Sequence, residues 1–198
     1  MLRHAENQGK GAALKTAYQF IKENYPDQDL AVVTADSDGQ HSPEDIIRIA
    51  RRAALDSDSL VLGVRNFDGQ EVPLRSKVGN KITLKIFQLT SGSKLSDTQT
   101  GLRGFSGIHL DKMLAISGSR FEYEMNVLMV WAKEKRPFYE LKIKTIYENK
   151  NEGSHFNPVR DSFRIYKEIL RFALSSLLSF FLDYSLYALQ IFVGVPMV

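Results

Sequence analysis

The chain has 198 residues, of which 43% are hydrophobic and 25% are charged, and its formal net charge at pH 7 is +3. This length is sufficient for one domain of ordinary size with its own core. The chain contains no cysteine, which excludes disulfide frameworks, thiolate zinc sites and cysteine nucleophiles. Metal binding is therefore left to carboxylate, imidazole and amide groups.

The first half of the chain predicts alternating helices and strands. Residues 10–24 place apolar side chains at helical spacing, and a proline shortly afterwards ends the pattern. Residues 30–33 are apolar on both faces, as in a parallel strand covered by helices. Ser42 and Pro43 then begin a second helix, and residues 59–64 form another buried strand. A strand, a helix and a strand with short links are typical of a crossover unit in an α/β fold.

A basic amphipathic helix is predicted in the middle of the chain. Residues 72–96 contain five Lys or Arg residues and no acidic residue, and three of the lysines lie along one helical stripe. This pattern indicates a membrane surface or a phosphate-rich ligand. The alternative is the solvated face of a core helix. A helix at about residues 123–135 and a half-exposed strand at residues 138–147 follow.

The end of the chain differs in composition from the rest, because residues 172–198 contain one charged side chain, Asp183. As a helix, this run would exceed the roughly 30 Å hydrocarbon core of a bilayer. We expect it to be a membrane segment, preceded by an amphipathic helix at residues 161–171. Residues 133–171 hold ten Lys or Arg against six Asp or Glu, which predicts that the part of the chain before the apolar run lies on the cytoplasmic side. The alternative is a hydrophobic core helix, which Asp183 and four serines favour.

One pair of aspartates is the strongest candidate for metal binding. The pattern Asp-x-Asp occurs three times, at Asp27/Asp29, Asp36/Asp38 and Asp56/Asp58. Only Asp36 and Asp38 follow a buried strand directly, where open α/β sheets present ligand-binding groups. With Gln40 and His41 close behind, they offer ligands suited to Mg²⁺ or Mn²⁺ and a bridging diphosphate. A solvated acidic turn is the alternative.

Three further segments carry candidate residues. Lys10 lies in a glycine-rich helix start, where a lysine and free backbone N–H groups can hold an anion, although such a start is often only a turn. Asp97 and Arg103 belong to a polar stretch that is unsuited to a core. Glu122 and Glu124 stand at another helix start, where carboxylates also complement the helix dipole.

The chain resembles the family 2 glycosyltransferases of the dolichyl-phosphate or polyprenyl-phosphate mannose (or glucose) synthase type. The resemblance covers residues 5–170 and rests on six motifs in the family's order: NQGKGAAL, DSDGQHSPEDI, GVRNF, DTQTGLRGF, RFEYEMNVL and NEGSHFNPVRDSFRIY. The run RFALSSLLSFFLDYSLYAL is similar to the first membrane helix of a GtrA-like domain.

The resemblance implies an α/β GT-A fold with a Rossmann-like, mostly parallel sheet. Family members begin with a strand and a Pro-x-x-Asn-Glu-like motif upstream of NQGKG, so we expect an N-terminally truncated domain that lacks the first strands. The expected organisation is a partial catalytic domain at residues 1–160, an interfacial helix at residues 161–171 and a membrane segment at residues 172–198.

The implied reaction transfers a hexose from GDP-mannose or UDP-glucose to a polyprenyl phosphate (dolichyl or undecaprenyl), with inversion, at the cytoplasmic face of the cell membrane. Together with the residue patterns, the resemblance assigns donor binding to Lys10, Asp36, Ser37, Asp38 and Arg65. It assigns the Mg²⁺ or Mn²⁺ ion to Asp36, Asp38, Gln40 and His155. It assigns the acceptor phosphate to Arg75, Arg103 and Arg160, and catalysis to Asp97, Asp38 and Glu122.

Two other functions remain open at this point. One is a transferase of the same fold with a saccharide acceptor, which would need a general base and no lipid surface. The other is an inactive, membrane-anchored fragment that binds a lipid phosphate or a partner. The expected partners are the nucleotide sugar, the polyprenyl phosphate, the membrane and a second copy of the chain, with no nucleic acid.

Overall fold

The computed structural model describes residues 2–25, 29–65, 74–144 and 158–192, which contain a four-stranded sheet with helices against both faces. The strands are β1 (Ala31–Thr34), β2 (Leu60–Arg65), β3 (Arg103–Ser106) and β4 (Phe138–Ile143). The helices are α1 (Lys10–Asn24), α2 (Pro43–Leu55), α3 (Leu74–Ser91), α4 (Leu110–Ala115), α5 (Glu122–Lys133) and α6 (Pro158–Phe192). A 3₁₀ turn at Gly107–His109 precedes α4. The predicted α/β class is confirmed.

The sheet is mixed, with the strand order β1-β3-β2-β4. β3 lies between β1 and β2 and is antiparallel to both, whereas β2 and β4 are parallel. The prediction of a mostly parallel sheet is therefore wrong for the described strands, because the segment that forms β3 has the polar, glycine-containing pattern of a loop. A mixed sheet of this kind is consistent with a GT-A fold.

Two hydrophobic clusters lie on opposite faces of the sheet. Alternate residues of β2 point to opposite faces, so Leu62 enters the larger cluster and Val61 the smaller one. The larger cluster packs α1, α3, α4 and α5 against the sheet around the fully buried side chains of Trp131, Tyr123 and Phe87. The smaller cluster packs α2 against the other face. Burial of β2 on both faces agrees with its prediction as a buried strand.

The start of α2 follows the predicted capping pattern. The Ser42 hydroxyl accepts a hydrogen bond from the backbone N–H of Asp45 at 3.2 Å, and Pro43 occupies the first helical position. One face of the helix buries Ile49 and Ala53 against β3. A Cβ atom at Gly104 of β3 would lie 2.7 Å from Ile49 Cγ2, so glycine allows the close approach of α2 to the sheet.

The last described element is one continuous helix, α6, where the sequence predicted an interfacial helix followed by a membrane segment. This helix contacts α3 and α5. Ten large apolar side chains of its second part are 49–65% exposed: Leu174, Leu177, Leu178, Phe180, Phe181, Leu182, Tyr184, Leu186, Tyr187 and Leu189.

The predicted membrane-spanning helix is not supported by the structure. Among the described residues, no helix is both long enough and apolar enough to cross a bilayer. In the sequence, Asp183 and four serines interrupt the apolar run. Residues 193–198 of the predicted segment, and residues 145–157 with the end of the predicted last strand, lie outside the described residues.

We expect Gly104→Ala to lower the free energy of unfolding by about 1–3 kcal/mol, the usual cost of an overpacked core. The added methyl group meets Ile49 and Ala53, so α2 must move away from the sheet. Urea-induced unfolding measures the change. Ala54→Ser, on the exposed side of α2, serves as the control and should stay within about 0.5 kcal/mol of the parent. Equal stability of both variants would contradict this packing.

Candidate active site

Strand ends bring most of the candidate residues to one edge of the sheet. β1, β2 and β4 run in the same direction and end at this edge, while β3 begins there. The edge therefore collects the turn at residues 35–41 after β1, Arg65 at the end of β2 and the loop at residues 97–102 before β3. Carboxyl ends of strands are the usual ligand-binding positions of open α/β sheets.

Lys10 joins two carboxylates at this edge. Its ammonium Nζ lies 2.7 Å from Asp36 Oδ1 and 2.8 Å from Glu124 Oε2. Burial by itself would lower the pKa of Lys10, but the carboxylates of Glu124 and Asp36 outweigh it and raise that pKa above its usual value. Lys10 is therefore positively charged near neutral pH. Its ammonium group links the start of α1 to the turn after β1 and to α5.

The glycines at the start of α1 serve close packing. Gly9 has a φ of 98°, and a Cβ there would lie 2.6 Å from the carbonyl oxygen of Ser119. A Cβ at Gly11 would lie 2.6 Å from Tyr123 Cβ. The N–H of Ala12 donates to Ser119 O at 2.8 Å, so the loop before α5 takes one of the N–H groups that the sequence offered to an anion. What the motif contributes to the site is the Lys10 side chain.

The carboxylate of Asp36 lies directly against the loop that precedes β3. A Cβ at Gly101 would come within 2.1 Å of Asp36 Oδ2, a distance that no real side chain tolerates. The Thr34 hydroxyl donates to Gly101 O at 3.1 Å and holds the loop from the strand side. Glycine at position 101 therefore allows the two loops to meet at Asp36.

Arg65 and Asp97, which the sequence assigned to different roles, form a bidentate ion pair. Arg65 Nε donates to Asp97 Oδ2 at 2.7 Å, and Arg65 Nη2 donates to Asp97 Oδ1 at 3.0 Å. The Asp97 side chain is completely buried, whereas that of Arg65 is 21% exposed. The backbone N–H of Gln99 also donates to Asp97, at 2.9 Å. In this structure Asp97 orients the guanidinium of Arg65.

Arg103 lies in the interior behind the edge. It is buried, and its guanidinium donates to the carbonyl oxygens of Thr100, Glu124 and Thr98 at 2.9, 2.7 and 3.5 Å. These bonds tie the loop before β3 to α5. The predicted contact of Arg103 with the acceptor phosphate stays a prediction, since the geometry by itself gives this residue a structural role.

The turn after β1 carries the oxygen ligands that the sequence assigned to Mg²⁺ or Mn²⁺. Asp38 and Ser37 are exposed, and Asp38 Oδ1 accepts from the backbone N–H of Gln40 at 3.2 Å. Carboxylate and amide oxygens suit these ions chemically. Within the described ranges, no group of three or more His, Cys, Asp or Glu side chains could hold a metal, and His155 lies outside those ranges. The metal stays a prediction.

His41, which the sequence places directly behind the Asp36/Asp38 pair, received no assigned role. Its Nδ1 atom is buried and has no hydrogen-bond partner in the part of the chain that the structure describes. Burial lowers the pKa of its ring, although the carboxylates of Asp36 and Asp38 oppose this. A ring nitrogen without a partner beside these carboxylates is a candidate for contact with a ligand.

Of the two glutamates at the start of α5, the structure brings Glu124 to the site. Glu122 Oε1 accepts from the backbone N–H groups of Ser119 and Arg120 at 3.1 Å each, so it caps the loop before the helix. Residues two apart lie on different faces of a helix, and only packing against α1 decides which one meets Lys10. The sequence signal for Glu124 was its place in the same motif.

The remaining assigned residues are described less fully. For Arg75 and Arg160 the structure describes the backbone, in the first turn of α3 and of α6 respectively. Both roles in acceptor binding therefore stay predictions.

Lys10 and Arg65 are each paired with carboxylates at the strand ends of a mixed sheet. Cations at such strand ends are typical of α/β enzymes that bind phosphorylated ligands. The chain belongs to the family described as glycosyl transferase family 2, whose sequence pattern matches residues 1–114. It is a glycosyltransferase.

Two relatives cover most of the chain. One, from Methanococcus voltae, is named UDP-N-acetylglucosamine–dolichyl-phosphate N-acetylglucosaminyltransferase. It is 34% identical over 186 residues, which cover 89% of this chain and 70% of the relative. The other is an uncharacterized protein from Methanocaldococcus jannaschii, 28% identical over 173 residues, which cover 85% of this chain and 70% of the relative.

We expect Asp97→Asn to destabilise the fold by about 3 kcal/mol, the lower end of the range for a broken buried ion pair, because Arg65 keeps some solvent exposure. Urea-induced unfolding is the measurement. Asp58→Asn, at an exposed position, is the control and should change stability by less than about 0.5 kcal/mol. If Asp97→Asn is as stable as the parent, the ion pair with Arg65 does not stabilise the fold and this prediction is wrong.

Proposed function

We propose that this glycosyltransferase moves a sugar from a nucleotide sugar to a polyprenyl phosphate at the cytoplasmic face of the cell membrane. The observation that carries the proposal is the edge site itself, where Asp36 and Asp38 lie with Lys10 and Arg65 at the strand ends. Two cations beside two carboxylates suit a diphosphate that is bound together with a divalent ion. The dolichyl-phosphate acceptor in the name of the Methanococcus voltae relative supports the choice of acceptor.

The donor to test first is UDP-N-acetylglucosamine, because the name of the same relative contains it. The sequence analysis expected GDP-mannose or UDP-glucose instead. The described part of the chain contains no feature that separates these sugars, so the three donors form parallel arms of one assay.

Charge stabilisation at the leaving group is the main catalytic task. The bond between the anomeric carbon and the donor diphosphate breaks, and negative charge grows on the diphosphate. We infer that Lys10 and Arg65 interact with this charge, and the ion pairs of Lys10 with Asp36 and Glu124 and of Arg65 with Asp97, which orient the two cations, support this role. A Mg²⁺ or Mn²⁺ ion, held by Asp36, Asp38 and Gln40, would supply further positive charge on the same diphosphate.

The acceptor needs no strong general base. A phosphate monoester has its second pKa near ~6 and is largely dianionic at neutral pH. One of its oxygens attacks the anomeric carbon, the bond to the donor diphosphate breaks, and no proton has to be removed. This agrees with a site in which the carboxylates of Asp97 and Glu124 are both paired with cations. A saccharide acceptor would need a general base for its hydroxyl proton, whereas the cations Arg65 and Lys10 already engage the carboxylates of Asp97 and Glu124.

Asp38→Asn is expected to abolish Mn²⁺-dependent binding of UDP and at least about 99% of sugar transfer, because it removes a charged oxygen from the exposed turn and no core contact. Calorimetric titration of UDP with and without Mn²⁺, and transfer to dolichyl phosphate, are the measurements. Asp58→Asn, from the Asp-x-Asp pair at the opposite end of α2, is the matched control and should behave as the parent. Unchanged metal-dependent binding in the Asp38→Asn variant would refute the site.

The surface formed by α3 and α6 is where we propose that the lipid bilayer binds. The two helices are in contact; α3 exposes Lys81 and Lys85, and the second part of α6 exposes its large apolar side chains. Basic and apolar side chains together bind the interface of membranes that contain anionic lipids. A polyprenyl phosphate would be met at this same interface, with its headgroup near the basic helix.

Replacing both Leu178 and Phe181 with serine should weaken binding to vesicles of phosphatidylcholine and phosphatidylglycerol at least about tenfold. Both side chains are more than half exposed, so their loss costs little folding energy, whereas burying each in lipid is worth about 1.5–3 kcal/mol. Vesicle flotation is the measurement. Leu55→Ser, which alters an exposed leucine at the end of α2, is the control. Undiminished flotation of the double variant would place the membrane contact elsewhere, and loss of self-association instead would identify a second copy as the occupant.

A further inference from the structure

Asp45 is a buried carboxylate to which the site described above gives no role. It lies in the first turn of α2 and is 3% exposed. Its Oδ2 atom accepts from the backbone N–H of Lys144 at 2.9 Å and from the Ser42 hydroxyl at 3.2 Å. Its Oδ1 atom accepts from Arg48 Nη1 at 2.7 Å. A carboxylate with so little exposure is stable only when such partners satisfy it.

These bonds connect two parts of the active-site edge that are far apart in sequence. Ser42 directly follows the turn that carries Asp36 and Asp38, and Lys144 directly follows β4. In the parallel register, the last residue of β4, Ile143, pairs with Arg65. Asp45 therefore links the carboxylate turn to the strand ends at which Arg65 lies.

Arg48 strengthens the same link. Besides Asp45, its Nη1 donates to the carbonyl oxygen of Lys142 at 3.1 Å, so both the carboxylate and its arginine hold the end of β4. Since α2 packs on β1, β2 and β3, its position relative to the sheet is fixed. The helix thus connects the turn at residues 35–41 to the end of β4. The Asp45 bonds are the polar contacts that fix the first turn of this helix.

We propose that Asp45 is a positioning residue for sugar transfer: it sets the distance between the carboxylate turn at Asp36 and Asp38 and the strand end at Arg65. The inference rests on the proposed function, since that distance matters only if one donor diphosphate spans both groups. A misplacement of about 1 Å between such groups can reduce the rate about a hundredfold. The residue itself touches no reacting atom.

The chain offers a matched control in Asp56, at the other end of the same helix. Asp56 pairs with an arginine of α2, Arg52, at 2.6 Å, and accepts from the backbone N–H of Ser59 at 3.2 Å. Ser59 precedes β2, at the edge of the sheet opposite the site. Both aspartates thus tie one end of α2 to a strand terminus through similar bonds, and only Asp45 does so at the active-site edge.

The experiment compares Asp45→Asn with Asp56→Asn in the full chain. Amide hydrogen exchange of peptides that cover residues 34–42 reports the turn directly, and urea-induced unfolding reports global stability. Steady-state rates are measured with UDP-N-acetylglucosamine and dolichyl phosphate varied separately. We expect Asp45→Asn to speed exchange in residues 34–42 and to lower kcat/KM for the donor about tenfold to a hundredfold, with the acceptor KM unchanged. Asp56→Asn should leave the exchange rate of residues 34–42 and the kcat/KM for the donor at parental values, even if its free energy of unfolding is lower.

Three outcomes would overturn the inference. They are unchanged exchange at residues 34–42 in Asp45→Asn, equal changes in the two variants, and a donor kcat/KM that falls only in proportion to lost stability. If Asp45→Asn does not fold, Arg48→Ala takes its place, because the Arg48 side chain is half exposed and its loss removes one half of the link. If the parent chain transfers no sugar, the proposed function fails, while the exchange data still decide whether Asp45 fixes the turn.

Discussion

The ammonium group of Lys10 lies between the carboxylates of Asp36 and Glu124, and this contact joins three segments that are distant in sequence. Because position 101 is a glycine, the loop before β3 can approach the Asp36 carboxylate closely. The glycines at the start of α1 likewise allow the loop before α5 to pack against that helix. Each close approach removes the space that a side chain would occupy. The ammonium group of Lys10 thus holds the start of α1, the turn after β1 and the start of α5 together, and the loop before β3 packs against the same Asp36 carboxylate.

Buried charges at this edge and behind it are satisfied by opposite charges or by backbone carbonyl oxygens. Asp97 is completely buried and pairs with Arg65, and the Arg103 guanidinium is bonded to three carbonyl oxygens. Unpaired charges at such depth would cost several kcal/mol each, so the pairing is needed for folding as much as for chemistry. It also orients Lys10 and Arg65, which under the proposed function would reduce the reorganisation that sugar transfer requires.

A phosphate acceptor is already ionised near neutral pH, so a site without a strong general base is sufficient for sugar transfer to it. Transfer to a phosphate requires positive charge at the leaving diphosphate and a fixed angle of approach, and it does not require a basic carboxylate. The membrane surface proposed for α3 and α6 would complement this chemistry, since α3 exposes lysines and α6, which contacts α3, exposes large apolar side chains. A lipid acceptor presents a charged headgroup on an apolar chain, and under the proposed function each half would meet side chains of matching character.

The sequence by itself determined the local elements and the family. Helical spacing predicted α1, the Ser42-Pro43 cap predicted the start of α2, and two-faced apolar runs predicted β1 and β2, because each signal lies within a few residues of the element it forms. Six motifs in order predicted the glycosyltransferase family. Only the tertiary structure decided that β3 runs antiparallel between β1 and β2, that Glu124 and not Glu122 meets Lys10, and that Asp97 pairs with Arg65. These outcomes depend on contacts between residues that lie from about 30 to more than 100 positions apart in the sequence. A pattern of neighbouring residues carries no information about such contacts.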